Sequence, residues 1–396
     1  MSDYRRIFAI APFIRTITTP DMAYQFDVIV IGGGIAGISA AAELAASAKV
    51  LVLETEDQPG YHATGRSAAY FAPSYGNDVV RGITQASESF FRSPPDGFCD
   101  SDLIHPRSAV FIAREDQAEA LGRLSKEQEE LLHLDQVSLN HRLPILKAGY
   151  AIGGLWDDRG GDIEVNTLLQ GYLKLLRARG GVIQTGQQVL SIDDENDIWR
   201  LTTATHEFSA ALLVNAAGAW ADNIAEMAGL TRLGLQPKRR SVILIDQPAG
   251  YDISQWPLFI DIDEAFYFKP DAGQLLISPA NEDPSEPCDS RPEELEIAIA
   301  VDRFEKATGH EVSKINHSWA GLRTFASDKS FVAGFDPGCE RFYWLAGQGG
   351  YGVQSAPGLA KLCSAQITGM TLDGPFTGVL AYQEHVTPRR FFENQS

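Results

Sequence analysis

The feature that most constrains this chain is a strand, a glycine turn, a helix and a second strand that follow one another near its start. Residues 26–31 read as a buried strand, residues 32–37 form the turn Gly-Gly-Gly-Ile-Ala-Gly, and an alanine-rich helix leads to a strand at residues 49–53. This order predicts a βαβ unit of a parallel sheet. In such a unit Gly32 allows the tight turn, Gly34 lets the backbone approach a pyrophosphate, and Gly37 lets the helix pack on the strand.

Two further features narrow the choice of nucleotide. Glu54 ends the second strand, 22 residues after Gly32, where a carboxylate accepts hydrogen bonds from ribose hydroxyls and repels a 2′-phosphate. A second glycine-rich helix start, residues 347–352, follows a strand near the C-terminus, and its dipole suits the negative charge of a reduced flavin. The two turns give these candidate cofactor-binding residues: Gly32, Gly34, Ile35, Ala36, Gly37, Glu54, Gly349, Gly350, Tyr351, Gly352, Val353 and Gln354.

Composition excludes several classes of protein. The 396 residues carry a formal net charge of −19, which argues against nucleic acid as a partner and against stable membrane insertion. Four scattered cysteines without a C-x-x-C pair argue for a reducing, cytoplasmic location and against a structural zinc site. No H-x-x-x-H spacing or G-x-S-x-G elbow is present, so no metal site and no serine hydrolase is expected. Residues 1–21 read as a flexible extension, with a secretory signal as the alternative.

The rhythm of the chain predicts two interleaved domains. Residues 22–100, 157–232 and 319–396 read as a Rossmann-like FAD-binding domain with a parallel sheet. Residues 101–156 and 233–318 read as an inserted α+β substrate-binding domain with a mixed or antiparallel sheet. The predicted fold class is therefore α/β with an α+β insertion.

Six ordered motifs carry a family resemblance. They lie at residues 29–37, 58–69, 214–220, 234–241, 319–323 and 348–352. Together they resemble the D-amino-acid oxidase and glycine or sarcosine oxidase family of FAD-dependent amine oxidoreductases, and within it they look most like the D-arginine dehydrogenase branch. The resemblance implies bound FAD, and no cysteine stands in a recognisable flavin-attachment context, so we expect the FAD to be non-covalent.

The resemblance also implies which residues surround the cofactor. Gly65, Arg66, Ser67 and Ala68 would lie along the flavin and the pyrophosphate. Val189 would meet the adenine through its backbone. Ala217, Gly218 and Trp220 would line the cofactor channel.

For the substrate, the resemblance implies a clamp on a carboxylate. Arg240 and Arg323 would grip it, because a guanidinium offers a planar fork to a carboxylate. Tyr267 would add its hydroxyl, and Gly350 would offer its carbonyl to the amino group.

Two positions depart from the D-arginine dehydrogenase pattern, and a third keeps it. Ala109 stands where those enzymes carry a glutamate for the substrate guanidinium, and Tyr70 replaces a histidine near the flavin, whereas Tyr75 is retained. We therefore expect an aromatic pocket wall at Tyr70 and Tyr75 that favours uncharged side chains.

The predicted function is oxidation of the C–N bond of an amino acid, a neutral or aromatic D-amino acid, by hydride transfer to FAD. The imino acid would hydrolyse to a 2-oxo acid. Two alternatives stay open: oxidation of sarcosine-like secondary amines, proline derivatives or 2-hydroxy acids, and a non-catalytic flavin-binding assembly protein. The partners expected are a small amine with a carboxylate and an electron acceptor that is either oxygen or a quinone.

Overall fold

A computed structural model describes residues 25–392, so the predicted extension at residues 1–21 lies outside the described residues. The strands of the described part are, in chain order, β1 (Phe26–Ile31), β2 (Val50–Leu53), β3 (Tyr70–Phe71), β4 (Ile104–Pro106), β5 (Ala109–Ala113), β6 (Leu132–Asp135), β7 (Gly153–Asp157), β8 (Gly161–Ile163), β9 (Val182–Gln184), β10 (Ser191–Glu195), β11 (Ile198–Thr202), β12 (Glu207–Asn215), β13 (Gln236–Asp246), β14 (Leu258–Asp261), β15 (Tyr267–Asp271), β16 (Gln274–Ser278), β17 (Asp283–Pro284), β18 (His317–Phe325), β19 (Val332–Asp336) and β20 (Cys339–Ala346). The α-helices are α1 (Ile35–Leu44), α2 (Asp78–Arg92), α3 (Ala118–Glu127), α4 (Gln136–Arg142), α5 (Val165–Ala178), α6 (Ala221–Met227), α7 (Glu294–Thr308), α8 (Gly352–Thr368) and α9 (Gln383–Val386). Short 3-10 helices lie at Glu115–Gln117, Gly218–Trp220, Gly374–Tyr382 and Pro388–Phe391.

The first sheet has the predicted parallel core. Its order is β10-β11-β12-β1-β2-β9, with β20 bonded to β12 and β19 bonded to β20. β1 lies between β2 and β12 and is parallel to both. All four residues of β2 are buried, as expected for a strand of a parallel sheet whose two faces are covered. The carboxyl ends of these strands therefore meet at one edge of the sheet, where open α/β sheets bind ligands.

Helices α1, α5, α2 and α8 pack together over one face of this sheet. Small residues allow the close approach, since Ala40, Ala41 and Ala42 of α1 are fully buried in the same cluster as Val28 and Val30 of β1. α8 ends at Gly369, which adopts φ +72° in the left-handed region that favours glycine. Because α8 packs against α1, the helix after the second glycine-rich turn lies beside the helix after the first.

The second sheet has nine strands and is mixed, as predicted. Its order is β17-β13-β16-β15-β14-β5-β7-β6, with β18 bonded to β13. The pair β14 and β5 is parallel, and the remaining pairs are antiparallel. α7 packs on β13 and β16. A third sheet, β3-β8-β4, is not hydrogen-bonded through its backbone to either large sheet.

One predicted boundary needs correction. The sequence division started the last FAD-binding segment at residue 319, but that residue lies inside β18. Residues 317–325 pair continuously with β13 of the second sheet. The chain therefore leaves the second sheet after Phe325, because the backbone hydrogen bonds of β18 are made with β13 and not with the parallel sheet.

Candidate functional site

The turn between β1 and α1 has the geometry that a dinucleotide requires. Gly32 adopts φ +111°, and a Cβ atom there would lie 2.4 Å from the carbonyl oxygen of Ala216. A Cβ atom on Gly37 would lie 2.0 Å from the carbonyl oxygen of Gly32, which no side chain allows. Gly34 faces freer space, with Thr64 Oγ1 as the nearest atom at 3.3 Å. Gly32 thus allows the turn, Gly37 allows the close packing of the helix, and Gly34 leaves space for the approach of a ligand.

A cavity of about 560 Å³ opens at this turn and extends to strands of the second sheet. Most residues expected to bind the cofactor or the substrate line it. These are Gly32, Gly34, Ile35, Ala36, Glu54, Arg66, Ser67, Ala68, Val189, Ala217, Gly218, Trp220, Arg240, Tyr267, Arg323, Gly349, Gly350, Gly352 and Val353.

The loop after β2 forms one wall of the cavity. Glu54 accepts hydrogen bonds from the backbone N–H groups of Gly33 at 2.6 Å and Glu56 at 2.8 Å. These bonds fix the carboxylate at the end of β2, the position that meets a ribose in dinucleotide-binding folds. Thr64 Oγ1 accepts a hydrogen bond of 3.0 Å from the N–H of Ile35, the first residue of α1. The loop is thereby tied to the glycine turn.

His62 connects two loops at the cavity wall. Its Nε2 lies 2.8 Å from Glu56 Oε1, and its ring centroid lies 4.8 Å from that of Trp220, in the loop after β12. The imidazole therefore connects the loop after β2 with the loop after β12, the two strands that flank β1.

The side chain of Arg66 connects the loop after β2 with strand β18 and with the segment before α7. Its NH1 donates to the backbone carbonyls of Ser290 at 2.9 Å and Ala320 at 3.1 Å, and its NH2 pairs with Asp289. These partners occupy the guanidinium. In this conformation Arg66 can therefore contact a cofactor only through its backbone and the methylene groups of its side chain.

Strand register brings the two predicted clamp arginines together. Arg240 on β13 lies opposite Gly321 on β18, and Arg323 is two residues further along β18, so both side chains project from the same face. Gly321 makes room for Arg66, because a Cβ atom on Gly321 would lie 3.2 Å from the Cβ atom of Arg66. Arg239 projects to the other face, where it pairs with Glu296 at 2.6 Å.

Arg240 is held rigidly. It is 5% exposed, its Nε donates to the carbonyl of Asn281 at 2.8 Å, and its NH2 lies 3.5 Å from Glu282. Burial, together with the like charge of Arg323, holds the pKa of Arg240 below the ordinary arginine value. An incoming anion would relieve that repulsion.

Arg323 has no carboxylate within 4.0 Å among the residues that the structure describes. A Cβ atom on Gly350 would lie 2.8 Å from its NH1, so the second glycine-rich turn makes room for the guanidinium. Burial opposes the charge of Arg323, but its pKa is nevertheless raised by the facing tyrosines Tyr267, Tyr75 and Tyr351 and by Glu264. Arg323 is thus a charged group at the cavity with no ionic partner in residues 25–392.

Tyr267 completes this end of the cavity. It is 9% exposed, and its hydroxyl has no hydrogen-bond partner within residues 25–392. Burial by itself would raise the pKa of Tyr267, but the positive charges of Arg323 and Arg240 lower it. Two arginines and a hydroxyl without a hydrogen-bond partner thus lie on one face, a set of donors with the chemistry to hold a carboxylate.

Six predicted residues do not line the cavity: Gly37, Gly65, Tyr70, Tyr75, Tyr351 and Gln354. Gly37 and Gly65 shape the backbone instead, because side chains there would collide with the carbonyls of Gly32 and Gly60. Gln354 hydrogen-bonds the N–H of Ala72 at 2.9 Å.

The tyrosines act behind the cavity surface. Tyr70 donates to the carbonyl of Arg107 at 2.7 Å, and burial, followed by Asp157 and Asp162, raises its pKa well above the usual tyrosine value. Tyr75 donates to Glu264 Oε2 at 2.6 Å. Its ring packs edge-on against Tyr351, with 5.1 Å between ring centroids. Neither Tyr70 nor Tyr75 lines the cavity, so they do not form the expected inner wall.

Sequence reasoning missed several cavity residues. Thr64, Gln187, Gln188, Ser290 and Gln348 line the cavity but were not predicted. A polar residue inside a glycine-flanked motif, as at Thr64, was an available signal. Ser290 gave none, because only the folded chain places it against Arg66.

The fold and the cavity define a dinucleotide-binding protein whose cavity is also lined by two arginines, Arg240 and Arg323. Over residues 27–366 the chain matches the DAO model, described as FAD dependent oxidoreductase. The chain belongs to this family.

Relatives and solved structures agree with this assignment. The chain is 23% identical over 406 residues to FAD-dependent oxidoreductase domain-containing protein 1 of Bos taurus, an alignment that covers 88% of this chain and 82% of that protein. L-proline dehydrogenase from P. horikoshii has TM-score 0.79 at 19% identity, covering 94% of this chain and 99% of that one. Glycine oxidase from Geobacillus kaustophilus has TM-score 0.77 at 19% identity, covering 89% and 98%. At such identities the structures show a shared fold.

The residues present fit FAD. The two glycine-rich turns open on one cavity, Glu54 stands at the ribose position, and a Cβ atom on Gly349 would lie 2.5 Å from Phe325. Within residues 25–392 there is no cluster of three metal-ligating side chains and no helix long and apolar enough to cross a membrane. The family match and the two glycine-rich turns that open on one cavity identify FAD as the cofactor of this protein.

Proposed function

We propose that this FAD-dependent oxidoreductase oxidises the C–N bond of an amino acid with an uncharged side chain, a neutral or aromatic D-amino acid, to the imino acid. The observation that carries the proposal is the receptor formed by Arg240, Arg323 and Tyr267 at the end of the cofactor cavity. Every α-amino acid has a carboxylate one bond from the carbon to be oxidised. A grip on it therefore orients the Cα–H bond.

The roles of the residues follow from their surroundings. Arg323 has no acid to bind among residues 25–392, so it takes one carboxylate oxygen, while Arg240 takes the other from its rigid position. The Tyr267 hydroxyl donates to the same carboxylate. The Gly350 carbonyl accepts a hydrogen bond from the substrate amino group.

FAD, when bound, supplies the acceptor for the hydride that leaves Cα. The protein contributes position and electrostatics, and the two guanidinium charges hold the carboxylate through the reaction. The imino acid then reacts with water to give a 2-oxo acid and ammonia.

The surroundings of Ala109 support an uncharged side chain. Ala109 is 3% exposed and lies behind the cavity surface, in an apolar cluster whose members Val242 and Tyr267 line the cavity. A guanidinium or ammonium placed against this cluster would lose its hydration without gaining a carboxylate partner, which costs several kcal/mol as a rough figure. Neutral side chains avoid that cost.

A second candidate substrate class is a secondary amine such as sarcosine or a proline derivative. It shares the carboxylate that the receptor would bind, and so do 2-hydroxy acids, which stay open beside it. A non-catalytic flavin protein would have no need for a buried arginine such as Arg323 that has no ionic partner within residues 25–392, so we place this alternative last.

The test is a substrate panel. D- and L-amino acids, N-methyl amino acids and 2-hydroxy acids are assayed with a dye acceptor and, separately, for oxygen uptake. We expect the highest kcat/KM for neutral or aromatic D-amino acids. Turnover confined to 2-hydroxy acids, or no turnover of any carboxylate substrate, would refute the proposal.

A further inference from the structure

One residue of the cofactor cavity comes from the segment before α7 and carries an unused hydrogen-bonding group. Ser290 lines the cavity and is 6% exposed. Its hydroxyl is buried and has no hydrogen-bond partner within residues 25–392. A buried polar group without a partner costs free energy, and such groups are rare in folded proteins. A molecule that fills the cavity can supply the missing partner.

Arg66 fixes the segment that carries Ser290. Arg66 NH1 donates to the carbonyl of Ser290 at 2.9 Å, and its NH2 pairs with Asp289. The backbone carbonyl of Arg66 in turn accepts a hydrogen bond of 3.2 Å from the indole N–H of Trp319 on β18. These contacts hold the backbone of Ser290 but leave its hydroxyl free to turn about a single side-chain bond.

The anchoring of this segment favours FAD over the substrate as the partner of the hydroxyl. Arg66 belongs to the loop after β2, which Thr64 ties to the first residue of α1 by a hydrogen bond of 3.0 Å. Within residues 25–392, the hydrogen bonds of Asp289 and Ser290 are made with Arg66 and not with the clamp arginines. Cys288, in the same segment, also lines the cavity. The segment is thus attached to the wall of the cavity that begins at the glycine turn.

We propose that Ser290 is a cofactor-binding residue whose hydroxyl forms a hydrogen bond with bound FAD, and that Arg66 is the positioning residue that holds it there. The guanidinium of Arg66 is occupied by Asp289 and by two backbone carbonyls, so it acts on the cofactor through the segment before α7. The proposal depends on FAD as the cofactor and makes no assumption about the substrate.

The experiment measures how tightly the purified holoprotein retains FAD. The protein is diluted in steps and the released FAD is measured by its fluorescence, for wild type, Ser290→Ala and the control Ser285→Ala. Ser285 lies in the same segment but does not line the cavity, and its hydroxyl donates to the carbonyl of Glu286 at 2.9 Å. We expect the Kd for FAD to rise roughly three- to tenfold in Ser290→Ala, the effect of one lost neutral hydrogen bond, and to stay unchanged in Ser285→Ala. An unchanged Kd in Ser290→Ala, or an equal rise in both variants, would overturn the proposal.

Two further measurements test the role of Arg66 and exclude a contact with the substrate. Arg66→Met removes the guanidinium but keeps an unbranched side chain. If Arg66 acts by holding Ser290, adding Ser290→Ala to Arg66→Met should not raise the Kd for FAD any further, whereas fully additive effects would refute the role of Arg66. At saturating FAD we expect Ser290→Ala to recover the kcat and KM of wild type. A KM for substrate that stays raised at saturating FAD would assign the hydroxyl to the substrate and overturn the proposal.

Discussion

Replacing Arg323 by alanine tests the clamp most sharply. Within residues 25–392 Arg323 pairs with no carboxylate, so its removal leaves no buried acid unpaired. It also removes the repulsion that lowers the pKa of Arg240. We therefore expect the thermal midpoint and the FAD content of Arg323→Ala to match wild type or to rise slightly.

The catalytic cost is large because the lost interaction is charge-assisted. A hydrogen bond between charged groups contributes about 1.5–3 kcal/mol, and a bidentate grip more. A loss of about 2–4 kcal/mol of transition-state stabilisation corresponds to a fall in kcat/KM of roughly 30- to 1000-fold. The assay is initial rate at subsaturating amino acid with a dye acceptor.

Arg239 supplies a matched control from the adjacent position on β13. It faces the other side of the sheet and pairs with Glu296, which is 5% exposed. Arg239→Ala should destabilise the fold by about 3 kcal/mol or more, because it leaves a buried acid unpaired, while the folded fraction keeps its kcat/KM. Near-normal kcat/KM in Arg323→Ala would refute the clamp, and so would an equal loss in both variants.

Three other outcomes are expected. The two arginines lower the pKa of Tyr267, so Tyr267 loses the proton that it donates at a lower pH than an ordinary tyrosine, and kcat/KM should fall on the alkaline side. In Tyr267→Phe this alkaline fall should disappear. An unchanged alkaline fall would contradict the role of Tyr267 as a donor. Gly37→Ala forces a Cβ atom to 2.0 Å from the Gly32 carbonyl, so the ratio of flavin to protein absorbance should drop to near zero, and a fully yellow variant would contradict the close packing. Ala109→Glu should shift the kcat/KM ratio towards arginine and lysine at some loss of thermal stability, whereas a wild type that prefers D-arginine to every neutral amino acid would contradict the reading of Ala109.

The sequence predicted the cofactor half of the molecule well because its constraints are local. Gly32 and Gly37 are dictated by backbone atoms within one βαβ unit, so a short motif contains the whole reason for them. The strand β1 and the helices α1 and α8 lie close to where their periodicity indicates.

The remaining features of the site depend on contacts between residues that are distant in the chain. Tyr70 was expected at the substrate, but its hydroxyl is bound by the carbonyl of Arg107, and Arg66 is held by Ser290 and Ala320. The boundary at residue 319 failed because β18 pairs with β13. No local pattern reveals such pairings.

The central claim is that the cofactor cavity binds FAD beside a receptor for the carboxylate of an oxidisable amino acid. The most direct measurement mixes the purified yellow protein with neutral and aromatic D-amino acids in the absence of oxygen and records the flavin absorbance while the 2-oxo acid is quantified. We predict that the absorbance bleaches and that one 2-oxo acid forms per flavin reduced. A flavin that stays oxidised with every amino acid tried, or bleaching without a 2-oxo acid, would contradict the account.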